Sequence, residues 1–315
     1  MADKLALKRL IWIRRTAEAL GVAPDEAERL LSLERQQSIR VNSLQLTERS
    51  PATPQWLGKQ YAWMPEGFEL NVPVADVRDD ERVLAGQYFI QNAASWLPVL
   101  ALDAQPQERI LDVCAAPGGK TSHIAAATDN RAHITANDNS RPRLAKLRAN
   151  LDRLGANVER YTLYDATALA HKLEGEQFDR ILIDAPCSGE GLMNLINDKD
   201  FATWSVAHIK RLQQLQKRII IQAWQLLAPG GTLVYSTCTM APEENEAVVD
   251  YLLRSRENAS VVPFEVAGLP NRVPAVRKWN GKRFSPSVDQ CMRLKPSRQI
   301  EAFFVCKLQK TSQAD

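Results

Sequence analysis

The chain has no run approaching the roughly 18 apolar residues of a membrane span, which argues against a membrane-spanning protein. It has no C-x-x-C pair, and its four histidines are scattered, so a zinc or other metal site has no footing. Five cysteines, an odd number without the spacing of a small disulfide framework, suit a reducing compartment and a cytoplasmic protein. The opening segment does not read as a secretory signal either. The opening "MADKLALKRLIWIRRTAEAL" breaks its apolar positions with Lys4, Lys8, Arg9, Arg14 and Arg15 and reads as an amphipathic helix. There is no internal repeat, no low-complexity tract and no G-x-G-x-x-G dinucleotide fingerprint. Neither sign of charge dominates: 40 basic residues face 37 acidic ones, a net charge of +3 that permits a nucleic-acid partner without demanding one.

What is present is an α/β pattern. The 315 residues, 45% of them apolar, suffice for one large domain and a smaller one. From about residue 108, short apolar strands alternate with helical stretches. The strand candidates are "ERILDVCA", "HITANDN", "VERYTLYDA", "FDRILIDAP", "GTLVYSTC" and, near the end, "AFFVCKL". The helix candidates include "RPRLAKLRANLDRLG" and "VAHIKRLQQLQKRIIIQAWQLL", the latter stopped by Pro229-Gly230-Gly231. After Cys238, "APEENEAVVDYLLRSRE" predicts a helix with Pro242 at its first position and Glu243 and Glu244 beside its positive end. Such alternation predicts a mostly parallel sheet with helices on both faces. The first hundred residues differ: "SIRVNSL" and "YAWMPEGFEL" read as strands around the polar, proline-bearing "TERSPATPQWLG". We expect a small N-terminal α+β domain over 1–84 and a larger domain over 85–315, joined near "AGQYFIQNAAS".

The first strand of the larger domain runs into "CAAPGGKTS", where adjacent glycines let backbone approach a ligand and the next helix offers free N–H groups. Gly119-Lys120-Thr121 matches the end of a P-loop, but Cys114 stands where its first glycine is required. A nucleotide hydrolase is therefore the nearest chemical competitor, and "ILID" before Ala185 resembles its acidic strand. The second, third and fourth strands end in Asp138, Asp165 and Asp184. Any one of these could be a plain turn-former. Their recurrence beside a glycine loop points to a nucleotide-like ligand, with Asp138 placed for ribose hydroxyls.

The cysteines divide into two groups. Cys114, Cys291 and Cys306 lie in or beside apolar segments and read as packing residues. Cys187 in "DAPCSGEG" and Cys238 in "YSTCT" each follow an apolar strand, among small or hydroxylated neighbours. In a parallel sheet both would project at the same carboxyl edge. Cys238 would also lie near a helix start, whose dipole favours a thiolate.

"CAAPGGKT", "DAPCSGEG" and "YSTCT" together resemble the Sun/NOP family of RNA cytosine-5 methyltransferases. The resemblance spans roughly residues 36–308 and takes in "RVNSL", "QYFIQNAASWLP" and "LLAPGGTLVYSTCT" followed by "EENE". It implies a class I methyltransferase (Rossmann-like) fold that uses S-adenosyl-L-methionine. On this resemblance Cys114, Ala115, Ala116, Pro117, Gly118, Gly119 and Lys120 form the cofactor loop. Asp138 corresponds to the ribose-binding acid, Asp165 to the acid near the adenine, and Asp184 to the acid between the methionine end and the base. Cys238 corresponds to the nucleophile and Cys187 to the cysteine that assists product release. The chain departs from the family pattern at Leu192–Asp200, at "QNAAS" and at Glu301-Ala302, where a Gly-Phe-Phe segment is usual.

The expected partner is RNA, ribosomal by family analogy and with transfer RNA as the alternative. The chain is expected to act as a monomer. A non-catalytic RNA-binding protein on the same fold is the other alternative. Residues 271–298 hold eight basic residues against one acid, with Trp279 and Phe284 interleaved, a mix suited to phosphate contact and base stacking. Lys210, Arg211, Lys217 and Arg218 on the long helix read as an ordinary solvated face.

Overall fold

The near-continuous apolar runs of the central strands decide the architecture, because they give the sheet two faces that must both be covered. The computed structural model of the chain describes residues 2–46, 53–201 and 203–311. Four strands form an N-terminal antiparallel sheet: β1 (Ser38–Val41), β2 (Leu57–Tyr61), β3 (Met64–Leu70) and β4 (Tyr88–Ile90), in the order β2-β3-β1-β4. The large sheet draws on β5 (Arg109–Asp112), β6 (His133–Asn137), β7 (Arg160–Thr162), β8 (Phe178–Asp184), β9 (Leu227–Thr237), β10 (Ala259–Val261) and β11 (Arg272–Val273). A separate hairpin, β12 (Lys278–Trp279) with β13 (Lys282–Arg283), follows. The large sheet then resumes with β14 (Met292–Leu294) and β15 (Phe303–Lys310).

Its order is β11-β14-β15-β9-β8-β5-β6-β7, with β10 beside β15. The segment from β9 to β7 is parallel, and β15 joins β9 antiparallel. The chain starts at β5, steps outward to β6 and β7, then returns to β8 on the other side of β5. The order therefore reverses between β5 and β8, and a crevice opens there at the carboxyl ends of the strands.

Successive residues of the central strands feed two cores. Leu182 and Val234 face the helices Gly119–Ala127 and Arg141–Arg153, whose Ile124, Leu144, Leu147 and Leu151 pack onto them. Ile181, Ile183, Leu233 and Tyr235 face the helices Val206–Leu226 and Glu246–Ser255, through Ile219, Ile220, Val248 and Val249. The first helix, Ala2–Leu20, buries Trp12 edge-on against Phe201, with ring centres 5.2 Å apart.

Several local expectations change. "YAWMPEGFEL" is not one strand: Tyr61 closes β2 and Met64 opens β3, and the turn between them buries Trp63 against Tyr61 and Trp96. The polar stretch before it lies outside the described residues over 47–52, and its last two residues, Leu57 and Gly58, already belong to β2. "VERYTLYDA" contributes only Arg160–Thr162 to the sheet. The helix after Cys238 begins at Glu246, so Pro242 is not its first residue. Residues 242–245 form a turn because their side chains are engaged elsewhere. Glu243 pairs with Arg15, Glu244 binds Ser188, and Asn245 binds Thr239 O and Thr237 Oγ1. Asn245, the residue before the helix, therefore meets both neighbours of Cys238.

Candidate active site

The crevice at the switch point is where the strand-end residues meet. β5 ends at Asp112, and the loop Cys114–Lys120 bends over it, Ala115 N donating to Asn137 O at 2.8 Å. Gly118 turns the loop into the next helix with φ +107°, a left-handed conformation, and a Cβ there would lie 3.0 Å from Leu147 Cδ1. Only glycine fits both demands. Beyond β8, Gly191 N donates to Cys238 O at 2.8 Å, and a Cβ on Gly191 would fall 2.2 Å from Ala302 O. That close approach ties the loop carrying Cys187 to the end of β9.

Two cavities share this crevice. One, of about 400 Å³, is lined by Cys114, Ala116, Asp138, Asp165, Asp184, Cys187 and Cys238, with Leu215 and Ile219 closing one side. The other, of about 430 Å³, shares Cys114, Ala116 and Asp184 and adds Ala115, Pro117, Gly119, Lys120, Gln91, Asn92 and Leu192. Asp184 therefore stands on the wall between them. Gly118 lines neither cavity and shapes the turn.

Each acid is held differently. Asp138 is buried: its Oδ1 accepts from Ser140 N at 3.0 Å, and its Oδ2 lies 3.3 Å from Arg143, which also binds Ala116 O. Asp165 is exposed and caps the short helix Ala166–Ala168, accepting from Thr167 N at 2.8 Å. Asp184 accepts from Lys120 Nζ at 2.6 Å and from Ser236 Oγ at 2.9 Å.

The two sulfurs, Cys187 Sγ and Cys238 Sγ, are 3.2 Å apart, both half-buried and unoxidised. The hydrogen bond to Cys238, then burial, then the charges of Cys238 and Glu244 push the Cys187 thiol well above the ordinary range. At that distance one thiol can donate to the other sulfur. Cys291 and Cys306 are buried in the core, as packing residues are.

Several participants escaped the sequence reading. Asp112 is buried, takes Thr121 Oγ1 at 2.7 Å on one oxygen and leaves the other unpartnered beside the second cavity. Burial first, and Asp184 among the further causes, push it up to about 7. The signal was present in "ILDV": the strand-end pattern of Asp138, Asp165 and Asp184 begins one strand earlier. Arg143, and Asn137, which lines the first cavity, were given no role from the sequence.

The expected base-stacking aromatics are not available. Trp279 and Phe284 are buried in the core, with the Arg15 guanidinium 5.2 Å from the Trp279 ring centre. Within the same segment Arg277 pairs with Asp289 and Arg293 with the buried Glu246. Lys278, Lys282 and Arg283 of the hairpin β12–β13 face solvent. Glu301, at a departure from the family pattern, is buried and accepts from Ala94 N at 3.2 Å.

Comparison with known proteins gives consistent matches. The family model for the 16S rRNA methyltransferase RsmB/F matches residues 99–309. The ribosomal RNA small subunit methyltransferase F of Cronobacter sakazakii is 36% identical over 318 residues, covering 96% of this chain and 63% of that protein. The chain thus spans less than two thirds of that relative. The tRNA (cytosine(49)-C(5))-methyltransferase of Pyrococcus abyssi is 40% identical over 227 residues, covering 71% of each. The crystal structure of a methyltransferase homolog from Pyrococcus horikoshii superposes with a TM-score of 0.75 at 30% identity, covering 95% of this chain and 98% of that one. These matches bear out the resemblance carried by the two cysteine motifs, and the large sheet is the class I methyltransferase fold.

Proposed function

The chain belongs to the 16S rRNA methyltransferase RsmB/F family, and from that premise we propose that it methylates carbon 5 of a cytosine in ribosomal RNA. The observation that carries this reading is the pair of sulfurs 3.2 Å apart beside Asp184, at the mouth of a cavity fitted to a nucleoside. S-adenosyl-L-methionine fits the residues present. The cavity of about 400 Å³ has the size of a small-molecule site. The buried Asp138 carboxylate suits a ribose diol, and Asp165 beside Leu215 and Ile219 suits an adenine ring with its amino group. When bound, that cofactor supplies an electrophilic methyl group.

The chain's own residues do the rest. Carbon 5 of cytosine is a poor nucleophile until a thiolate adds to carbon 6. Cys238 is assigned that attack on the resemblance carried by "YSTCT" and on its fixed place at the end of β9, where the ladder and Asn245 hold its neighbours. Asp184 is placed to hold the N3 edge of the base, and Lys120, 2.6 Å from it, adds a positive charge that offsets charge developing on the ring. After methylation the Cys238–carbon 6 bond must break. The carbon 5 proton passes to Cys187, which has lost its own proton to solvent; the carbon 5–carbon 6 double bond re-forms, and Cys238 leaves as thiolate. The largest cause holding the Cys187 proton, its hydrogen bond to Cys238, vanishes once Cys238 is bonded to the base. Every group given a role here comes from one chain, so this reading needs no partner subunit to complete the site, and a monomer is the state proposed. Its two free thiols require a reducing setting such as the cytoplasm.

The hydrolase alternative is disfavoured by the loop itself. Lys120 and Thr121, which a phosphate site would need, are engaged with Asp184 and Asp112. Bisulfite sequencing of RNA from cells with and without the gene tests the substrate. Loss of one 5-methylcytosine from ribosomal RNA is expected; loss from a transfer RNA would move the assignment there, and no loss from any RNA would overturn it.

Asp138→Ala should weaken S-adenosylmethionine binding. Losing a charge-assisted hydrogen bond costs roughly 1.5 to 3 kcal/mol, about ten- to a hundredfold in affinity. Calorimetric titration of the folded variant checks this, and unchanged affinity would remove Asp138 from the ribose.

Charge reversal at Lys278, Lys282 and Arg283 should weaken RNA binding and flatten its salt dependence. If each meets one phosphate of single-stranded RNA, the log–log slope should fall by about 2. A slope equal to wild type would place the phosphate track elsewhere.

A further inference from the structure

Next to the two thiols runs a chain of polar side chains, buried except for the half-buried Ser188, that the chemistry above does not use. Glu244 contacts Ser188 Oγ and accepts from Ser188 N at 3.0 Å and from Gln216 Nε2 at 2.9 Å. Ser188 Oγ also meets Thr239 Oγ1 at 2.8 Å, and Thr239 Oγ1 lies 3.1 Å from Glu190 Oε2. Glu190 is held in turn by Trp204 Nε1 at 2.9 Å. Ser188 follows Cys187 and Thr239 follows Cys238, so this chain joins the two turns at the residue after each sulfur.

The two turns are not equally anchored without it. β9 pairs with β8 and β15 up to Ser236 and Thr237, next to Cys238, and Asn245 binds both Thr237 Oγ1 and Thr239 O. Cys187 lies three residues past the end of β8, before the left-handed Gly189, outside any ladder. Bonds from Ala185 N to Ser236 O, Gln216 to Pro186 O and Gly191 N to Cys238 O fix the loop on either side, and at Cys187 itself the turn is held through Ser188.

We propose that Glu244 is a positioning residue that clamps the Cys187 turn onto the Cys238 turn and so sets the geometry of product release. This rests on the roles assigned to the two thiols above. The clamp is also proton-specific. Three oxygen–oxygen contacts, from Glu244 through Ser188 and Thr239 to Glu190, share only two hydroxyl protons, so one carboxyl keeps its own. Burial favours that state, pushing Glu244 up to about 7 and raising Glu190 as well. A glutamine at 244 can give or accept in the same places, whereas an alanine removes the link.

The test uses the full chain with substrate RNA and S-adenosylmethionine, following the RNA-linked band on a denaturing gel and the release of methylated RNA. Glu244→Ala should form the band at the wild-type rate but resolve it slowly, by up to about a hundredfold, the loss expected from misplacing a reacting group by 1 Å. Glu244→Gln should restore release towards wild type, as a purely geometric role requires. Ser188→Ala removes the Oγ link from Glu244 to Thr239 while leaving the Ser188 N–Glu244 bond and Gln216 in place, and should slow release in the same direction if Glu244→Ala does not fold. Release at the wild-type rate in folded Glu244→Ala or Ser188→Ala would overturn the clamp, as would Glu244→Gln being as slow as alanine. Cys187→Ala serves as the reference. If it accumulates the band while the clamp variants do not, only the clamp fails; if it does not accumulate the band, the thiol assignment itself fails.

Discussion

Cys238→Ala should abolish methylation and form no covalent RNA complex, whereas Cys187→Ala should trap one. Removing the nucleophile of a covalent mechanism costs on the order of a thousandfold or more in rate, because no remaining group can activate carbon 5. Cys187→Ala leaves Cys238 at the end of β9 with its ladder and its Asn245 contacts intact, so attack and methyl transfer proceed. What it removes is the group that takes the carbon 5 proton, and the adduct persists. Incubated with substrate RNA and S-adenosylmethionine, that variant should migrate as a slower, RNA-linked band on a denaturing gel. If the roles were exchanged, with Cys187 as nucleophile, Cys238→Ala would be the variant that shows the band. A Cys238→Ala protein that still methylates RNA would overturn the mechanism.

Arg293→Ala should be the most destabilising single change outside the site. Arg293 and Glu246 are both essentially without solvent contact, with their charged atoms 2.9 Å apart, and Arg293 also donates to Met240 O. Removing one partner of a buried pair leaves the other charge uncompensated and typically costs about 3 to 5 kcal/mol. That is a large part of the 5 to 15 kcal/mol that holds a typical domain. Changing both, as Arg293→Met with Glu246→Gln, should recover part of the loss, since glutamine still accepts from Val276 N. Urea unfolding of the three proteins measures this. A loss below about 1 kcal/mol for Arg293→Ala, the range of an exposed pair, would show that the pair is solvated in solution.

These two predictions differ in what the sequence could supply. Cys187 and Cys238 were marked by their place after apolar strands, and a parallel sheet required their side chains to share one edge. Arg293 was read as one of eight cations available to RNA, because nothing in "CMRLKPSR" distinguishes a buried arginine from an exposed one. Its partner Glu246 lies 47 residues away in sequence. Trp279 and Phe284 failed in the same way: alternation with basic residues fits a stacking surface and a hairpin pinned to a core equally well.

The sequence by itself determined the order of strands and helices, the glycine loop, the acids at strand ends and the two thiols proposed for the chemistry, because each follows from local periodicity or from one turn. Tertiary structure alone decided which of these meet. The 3.2 Å between the sulfurs, the Lys120–Asp184 pair and the link from Ser188 through Thr239 to Glu190 all join residues on different strands or their following loops. The start of the helix at Glu246 rather than Pro242 was settled in the same way, by distant partners for Glu243 and Glu244 as well as Asn245's contacts with the end of β9. Local propensity is worth tenths of a kcal/mol to about 1 kcal/mol per residue. A buried charge or hydrogen-bonding group without a partner costs more than that, so the long-range contacts prevail wherever the two conflict.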